Sequence, residues 1–349
     1  QTCALPILLQ ENIAFLNGGA LFTDSWGLSL SNMTKIRNNV AILGRGGGVY
    51  SANSFNLTLF DASFEFNQAL GSHTGKGGAI GLLGDANFSL SLSNVTFDSN
   101  YAWYGGAIFL PYYSKISVSN SYMVSNRAIY TGGVVFMDKF SSGIIANSSA
   151  TNNSAGENGG FINMGNFSFL KFEKSIIRAN IANEIGGGMC TENMAKLDFI
   201  SSIATENFCG KYGGAIGTEA NASIRIIDSY LNKNSAFQKG GALYAGDKAS
   251  LFLSSTNISS NYIVKSLIGN SSASSNGGAV YLSDEATMIS IKNHFSLNKA
   301  TKGNGGALFV EKGASINVLY TSFIENIAYK YGGAVYTESS YASVFQQEC

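Results

Sequence analysis

Gly305-Gly306-Ala307-Leu308 is followed by Phe323-Ile324-Glu325-Asn326, and then by Gly332-Gly333-Ala334-Val335. From Ala307 to Asn326 is 19 residues, and from Ala307 to Ala334 is 27. The same two motifs recur in one register along the chain. A Gly-Gly pair with a small or apolar third residue occurs twelve times, its third position running from Ala20 through Ala79, Ala107, Gly188 and Ala215 to Ala334. Nine of the eleven successive spacings are 27 or 28 residues, and the exceptions, 31 and 37, mark insertions. An asparagine keeps step at Asn12, Asn39, Asn67, Asn100, Asn126, Asn153, Asn180, Asn207, Asn234, Asn261, Asn298 and Asn326. Self-similarity at a fixed period of this length is the signature of a solenoid.

Within one period the apolar residues alternate, which is the pattern of strands rather than helices. An aliphatic ladder follows the glycines, as at Ile80, Ile108, Ile216 and Leu308. A second lies eight residues before the asparagine (Leu59, Leu92, Val118, Phe199), and a third lies three before it (Phe64, Phe97, Met123, Phe323). Three short strands and three turns in ~27 residues predict an all-β, single-stranded, right-handed parallel β-helix of about twelve coils. At about 4.8 Å per coil the rod would be on the order of 55 Å long. Paired glycines suit a turn through positive φ. A recurrent asparagine would stack on its counterpart one coil away and bond both it and the turn backbone. Small residues such as Ala102, Ala128 and Ala182 follow, where a corner has little room, and Cys209 takes that slot as a buried alanine substitute.

Composition excludes several functions. Formal net charge is zero and 13% of residues are charged, so no basic patch serves nucleic acid or a membrane surface. No run of 18 apolar residues spans a bilayer, so any membrane contact lies in segments outside this window. The four cysteines, Cys3, Cys190, Cys209 and Cys349, form neither a disulfide framework nor a C-x-x-C pair. Residues 1–349 are expected to form one continuous repeat array. No capping repeat is visible at either end, and residues 1–7 fit the repeat poorly. The sequence is therefore expected to be a piece of a longer protein, with a non-native start at 1–7.

The alternation of Gly-Gly-Ala-[Ile/Leu/Val] with Phe-x-x-Asn resembles the repeat of polymorphic outer membrane proteins, the autotransporter adhesins of chlamydiae. Gly78-Ala79-Ile80 with Phe97 to Asn100, and Gly306-Ala307-Leu308 with Phe323 to Asn326, carry the resemblance. Elsewhere Ile, Leu or Met often replaces the phenylalanine. The resemblance implies a β-helical passenger on the cell surface or outer membrane, or released outside the cell, with adhesion as its task. Its partners would be a host-cell surface protein or glycan. The family's carboxy-terminal barrel and a signal sequence are not visible. Similar repeats in large protist membrane proteins leave a repeat ectodomain as one alternative.

The other alternative is a polysaccharide lyase or hydrolase of the pectin-lyase-like type, which needs clustered carboxylates. Asp24, Asp138, Glu192, Glu219, Glu311 and Glu338 fall four residues after the motif's third position, so a calcium stripe is conceivable. The simpler reading is a solvated turn helped by Lys139, Lys196, Lys248 and Lys312. His73 and His294 lie far apart in coil number and read as solvated. An aromatic stripe, Phe22, Tyr50, Phe109, Phe136, Tyr244, Tyr281, Phe309 and Tyr336, faces opposite to the aliphatic ladder. It could hold a glycan or partner, be covered by loops, or be the true inner face. The insertions 263–276 and Leu70–Lys76 are candidate recognition loops. Ten Asn-x-Ser/Thr sequons, among them Asn32, Asn94 and Asn257, permit glycosylation in a eukaryotic host. The expectation is a non-catalytic structural or adhesive rod with no catalytic residue, metal site or cofactor.

Overall fold

The protein is described by a computed structural model covering residues 7–24, 27–53, 56–83, 87–264 and 275–338. Cys3, Cys349 and residues 265–274 of the long insertion lie outside the described residues. So does nearly all of the segment 1–7. The architecture is an all-β parallel solenoid of about twelve turns, with three parallel sheets and turns about 27 residues apart. The chain divides into two compact units, Gln1–Leu170 and Lys171–Cys349.

One coil of the first unit shows the construction. Ile108–Leu110 belongs to a Gly-Gly sheet and pairs with Ile80–Leu82 and Val135–Met137. Lys115–Ser119 and Tyr122–Val124 belong together to a long sheet, bent at Asn120, whose φ is 49°. Arg127–Thr131 belongs to an asparagine sheet and pairs with Tyr101–Tyr104. In the second unit Met189–Thr191, Lys196–Ile200 with Ile203–Thr205, and Phe208–Cys209 repeat the pattern.

The count of three sheets agrees with the sequence, but the ladders divide among them differently. Leu92 and Phe97, from the second and third ladders, sit in one ten-residue strand, Ser89–Asp98, opposite Leu59 and Phe64. The third strand is the pair of residues after the asparagine, where a corner was expected. Its inward residue is small because the lumen is narrow there: Ala41, Ala69, Ala102 and Ala182 are fully buried. Cys209 pairs between Ala182 and Ala236 as the expected alanine substitute.

The two glycines of each pair serve different ends. Gly132 has φ 68°, and a Cβ there would stand 2.3 Å from the Val135 carbonyl oxygen. Gly133 has no such φ, but a Cβ on it would stand 1.9 Å from the carbonyl oxygen of Gly160, one coil on. The first glycine makes the turn. The second lets neighbouring coils reach hydrogen-bonding distance, a constraint the expectation of positive φ did not contain.

The asparagines form the expected ladder and are fully buried between Asn39 and Asn298. In the second unit, Asn234 Oδ1 accepts from Asn207 N at 3.1 Å and Asn207 Nδ2 at 3.0 Å. Asn234 Nδ2 donates to Asn261 Oδ1 at 3.0 Å and to the Ala204 carbonyl at 2.9 Å. The amide suits this place because it offers two donors and an acceptor at one site. A second ladder escaped the sequence reading. Ser202 Oγ accepts from Ser175 N at 3.1 Å, and Ser229 Oγ accepts from Ser202 N at 3.2 Å. Ser121 and Ser148 are linked likewise in the first unit. Their recurrence five residues before each asparagine was the available signal.

Replacing Asn234 with Ala strands donors on Asn207 and acceptors on Ala204 and Asn261. It should cost about 2–4 kcal/mol, given about 1–3 kcal/mol for each buried group left unpaired. Asn234→Asp should be at least as damaging at neutral pH and partly recover in acid. Urea midpoints decide, and a loss below about 0.5 kcal/mol for Asn234→Ala would remove the ladder from the account. Gly214→Ala would set a Cβ 2.1 Å from the Gly241 carbonyl oxygen, whereas at Gly27 the nearest atom is 4.0 Å away. We expect the first to cost at least ~3 kcal/mol and the second to be nearly neutral.

Candidate functional site

Each strand of the Gly-Gly sheet places its outer residues in the lumen and its middle residue outside, and the aromatic stripe occupies that middle position. The backbone just before the next Gly-Gly pair runs alongside, as the bridges Lys76 to Tyr104 and Tyr212 to Lys239 record. Its side chains lie over the stripe. Tyr50, Phe109, Tyr281 and Phe309 are thereby buried outside the lumen, whereas Phe22 is 54% exposed. Of the three arrangements the sequence allowed, the covered face is the one observed at these four of the eight stripe positions.

In the first unit Lys76 Nζ lies 4.3 Å from the centre of the Phe109 ring and 5.8 Å from that of Tyr104. The Arg45 guanidinium lies 5.7 Å from the same Phe109 ring. Burial lowers the Lys76 pKa, and Arg45 adds to the effect while Asp138 opposes it. Cation–π attraction makes this placement favourable despite the desolvation.

In the second unit Lys239 Nζ lies 4.3 Å from the Tyr281 ring centre and 5.7 Å from that of Tyr212. The same ammonium is 3.9 Å from Glu311, whose Oε2 accepts from Ser283 Oγ at 2.9 Å. Burial pushes the Tyr281 phenol far up, helped by the charge of Glu311 and the hydrogen bond to it. Burial likewise raises Tyr244, against a hydrogen bond with Ser283. Glu311 is thus compensated by Lys239, not by Lys312, which the sequence reading singled out. Lys76 and Lys239 both directly precede a Gly-Gly pair, and that shared position was the unused signal.

The other expected acids meet different surroundings. Asp24 accepts a hydrogen bond from Asn53, and Asp138 Oδ1 accepts from the Lys139 main-chain N–H at 2.8 Å. Glu192 and Glu219 both act on the Cys190 thiol. Lys248 pairs at 3.7 Å with Glu285, outside the acidic series. Among the described residues no three His, Cys, Asp or Glu side chains are grouped to hold a metal ion.

Cys190 and Cys209 are free and buried. Burial raises the Cys190 pKa well above its usual value, and Glu219, then Glu192, reinforce it. Burial raises Cys209 to about 11 against backbone hydrogen bonds from Lys211 and Tyr212. Neither is a nucleophile at neutral pH, since the thiolate is the reactive form. His73 is exposed as expected, but its ring stacks on Tyr130 at 5.6 Å and leans on Trp103 at 4.8 Å. His294 Nδ1 lies 2.6 Å from Ser322 Oγ. The insertion Leu70–Lys76 is tied down, Thr74 Oγ1 donating to the Leu43 carbonyl and Trp103 Nε1 to the Leu70 carbonyl.

Burial also raises the Glu219 pKa. A carboxyl held above its unfolded value costs stability once pH exceeds that unfolded value, and costs nothing where both states are protonated. Glu219→Gln should therefore raise the denaturation midpoint at pH 7 and leave it unchanged near pH 3, about one unit below an ordinary glutamate. An equal gain at both pH values would show that charge is not the cause.

Residues 320–338 match the Chlamydia polymorphic membrane protein (Chlamydia_PMP) repeat. The matched segment includes Phe323, Asn326 and the Gly332-Gly333-Ala334 triplet, and it spans the strands Ser322–Ile324, Ile327–Ala328 and Val335–Thr337. No curated protein and no solved structure matches the chain. The matched repeat and the parallel solenoid together fit a repeat of the polymorphic membrane protein kind.

Proposed function

We propose that the chain is a surface-displayed or secreted segment of adhesin type, non-catalytic, that holds a stiff stack of coils out for contact with a host-cell protein or glycan. The match of residues 320–338 to a chlamydial surface-protein repeat is the observation that carries this reading. The matched motif pair is the one that builds coils throughout the chain, so the likeness concerns the architecture as well as one coil. One further feature supports it. The half-buried acids and cations of the Gly-Gly face engage one another and their neighbouring rings, as Glu311, Lys239 and Tyr281 do, which suits a scaffold better than acid–base chemistry. No helix among the described residues is long and apolar enough to cross a membrane.

Beads coated with the folded chain should adhere to cultured epithelial cells several-fold more than beads coated with heat-unfolded chain. Equal adherence would overturn the adhesive reading. Release of reducing ends or unsaturated uronides from a polysaccharide panel would overturn the non-catalytic one.

A further inference from the structure

Three exposed rings stand in a column on the first unit. Tyr113, Phe140 and Phe167 are 57%, 43% and 47% exposed. Their rings stack at 5.1 Å and 5.0 Å, with interplanar angles of 11° and 8°. Each is the third residue of a turn between the Gly-Gly and long sheets, and each has positive φ, 56°, 59° and 61°. A bulky residue with a Cβ is disfavoured in that conformation, and an exposed ring gains little from burial. The turn itself does not need them. In the second unit the corresponding residues are Met194, Asn221, Lys248, Glu285 and Gly313, also with positive φ. The turns are linked to one another, Ser141 Oγ donating to the Pro111 carbonyl at 2.9 Å and Phe140 N to the Asn166 carbonyl at 3.0 Å.

Beside the column lies an open recess of about 510 Å³, within the range of small-ligand sites. Tyr113 and Phe140 form one wall. Ser89, Lys115 and Ser142 form the floor, aligned in register on three adjacent strands, with Asn87 at the side. The floor therefore offers two hydroxyls and an ammonium in a row, spaced about 4.8 Å apart. Among the described residues no carboxylate lies in ion-pair range of Lys115.

We propose that this recess binds an acidic glycan, seating a pyranose with its C–H surface on Tyr113 and Phe140 and its carboxylate on Lys115. Aromatic rings beside a row of hydroxyl, ammonium and amide groups match a sugar ring, which is apolar on its faces and polar at its rim. The Lys115 ammonium selects a uronate-type residue over a neutral one. The inference deepens the adhesive reading, on which its biological sense rests, by naming a ligand class and a place. The covered Gly-Gly stripe takes no part in it.

The test is calorimetric titration of the whole chain with a tetrasaccharide alternating glucuronic acid and N-acetylglucosamine, and with its carboxyl-reduced form. The acidic probe should bind saturably and about tenfold more tightly than the reduced one, the effect of one charge-assisted hydrogen bond. Lys115→Gln should bring the acidic probe to the level of the reduced one. Phe140→Asn, which keeps a residue tolerant of positive φ, should abolish both. Lack of saturable binding, equal binding of the two probes, or binding unchanged in both variants would overturn the proposal. Bead adhesion that persists through such a failure would leave the adhesive reading standing and remove only this recess.

Discussion

Main-chain hydrogen bonds between parallel strands hold neighbouring coils about 4.8 Å apart, and this distance governs what each position can carry. A residue meets, at that separation, the residue one period later. Where the backbones come closest no side chain fits at all, and the second glycine of each pair is fixed by the carbonyl of the next pair, as Gly214 is by Gly241. Where the backbones leave room, the side chain must tolerate its own copy. Amides do so because each supplies what its neighbour lacks. The hydroxyl series does so by accepting from the next main chain while donating to its own, as Ser229 donates to the Ile227 carbonyl at 2.7 Å. Flat rings tolerate copies by stacking, as Phe172 and Phe199 do at 5.2 Å.

Charge is copied at a cost, as the Arg45 guanidinium beside Lys76 shows, and at several places the sign alternates from one coil to the next instead. Asp198 faces Arg225 and Glu184 faces Lys211, 27 residues apart in each case, and Arg178 faces Glu206 at 28. Such exposed pairs add little stability individually. Their effect is to avoid the repulsion that like charges would suffer at one coil's distance. Ser283 holds the acidic series' position one coil before Glu311, 2.9 Å from Glu311 and 3.1 Å from Asp247. Of that stripe of carboxylates, Glu311 is neutralised from the side by Lys239.

Much of the fold could be read from the period alone, because stacking in register turns a structural requirement into a visible recurrence. Counting residues placed Asn234 in its ladder and Cys209 as a buried alanine substitute, but gave Gly214 a positive φ that it does not have. Counting failed where structure depends on which element is bent and which is straight. Leu92 and Phe97 lie in different ladders but in one strand, because a single positive-φ residue, Asn94 at 53°, bends the chain without ending its pairing. The two-residue strand after the asparagine was too short for any alternation to show. The surroundings of the aromatic stripe were hidden for a related reason. Lys76 and Lys239 reach it from the preceding turn, and the chain's path, not its period, sets that contact.

The same logic separates the two aromatic columns. Rings at Phe109 and Tyr281 lie under cations and neighbouring backbone, so their burial accounts for their presence. Rings at Tyr113, Phe140 and Phe167 are stacked just as regularly yet remain exposed, on a turn that elsewhere carries methionine, asparagine, lysine, glutamate or glycine. Register alone would maintain a column of polar residues there as readily as one of rings. A regular feature that the coil does not require is therefore better evidence of selection for contact than the buried stripe, however conspicuous that stripe is in the sequence. In a solenoid, where repetition is the default, what the repeat requires has to be subtracted before what remains can be read as a site.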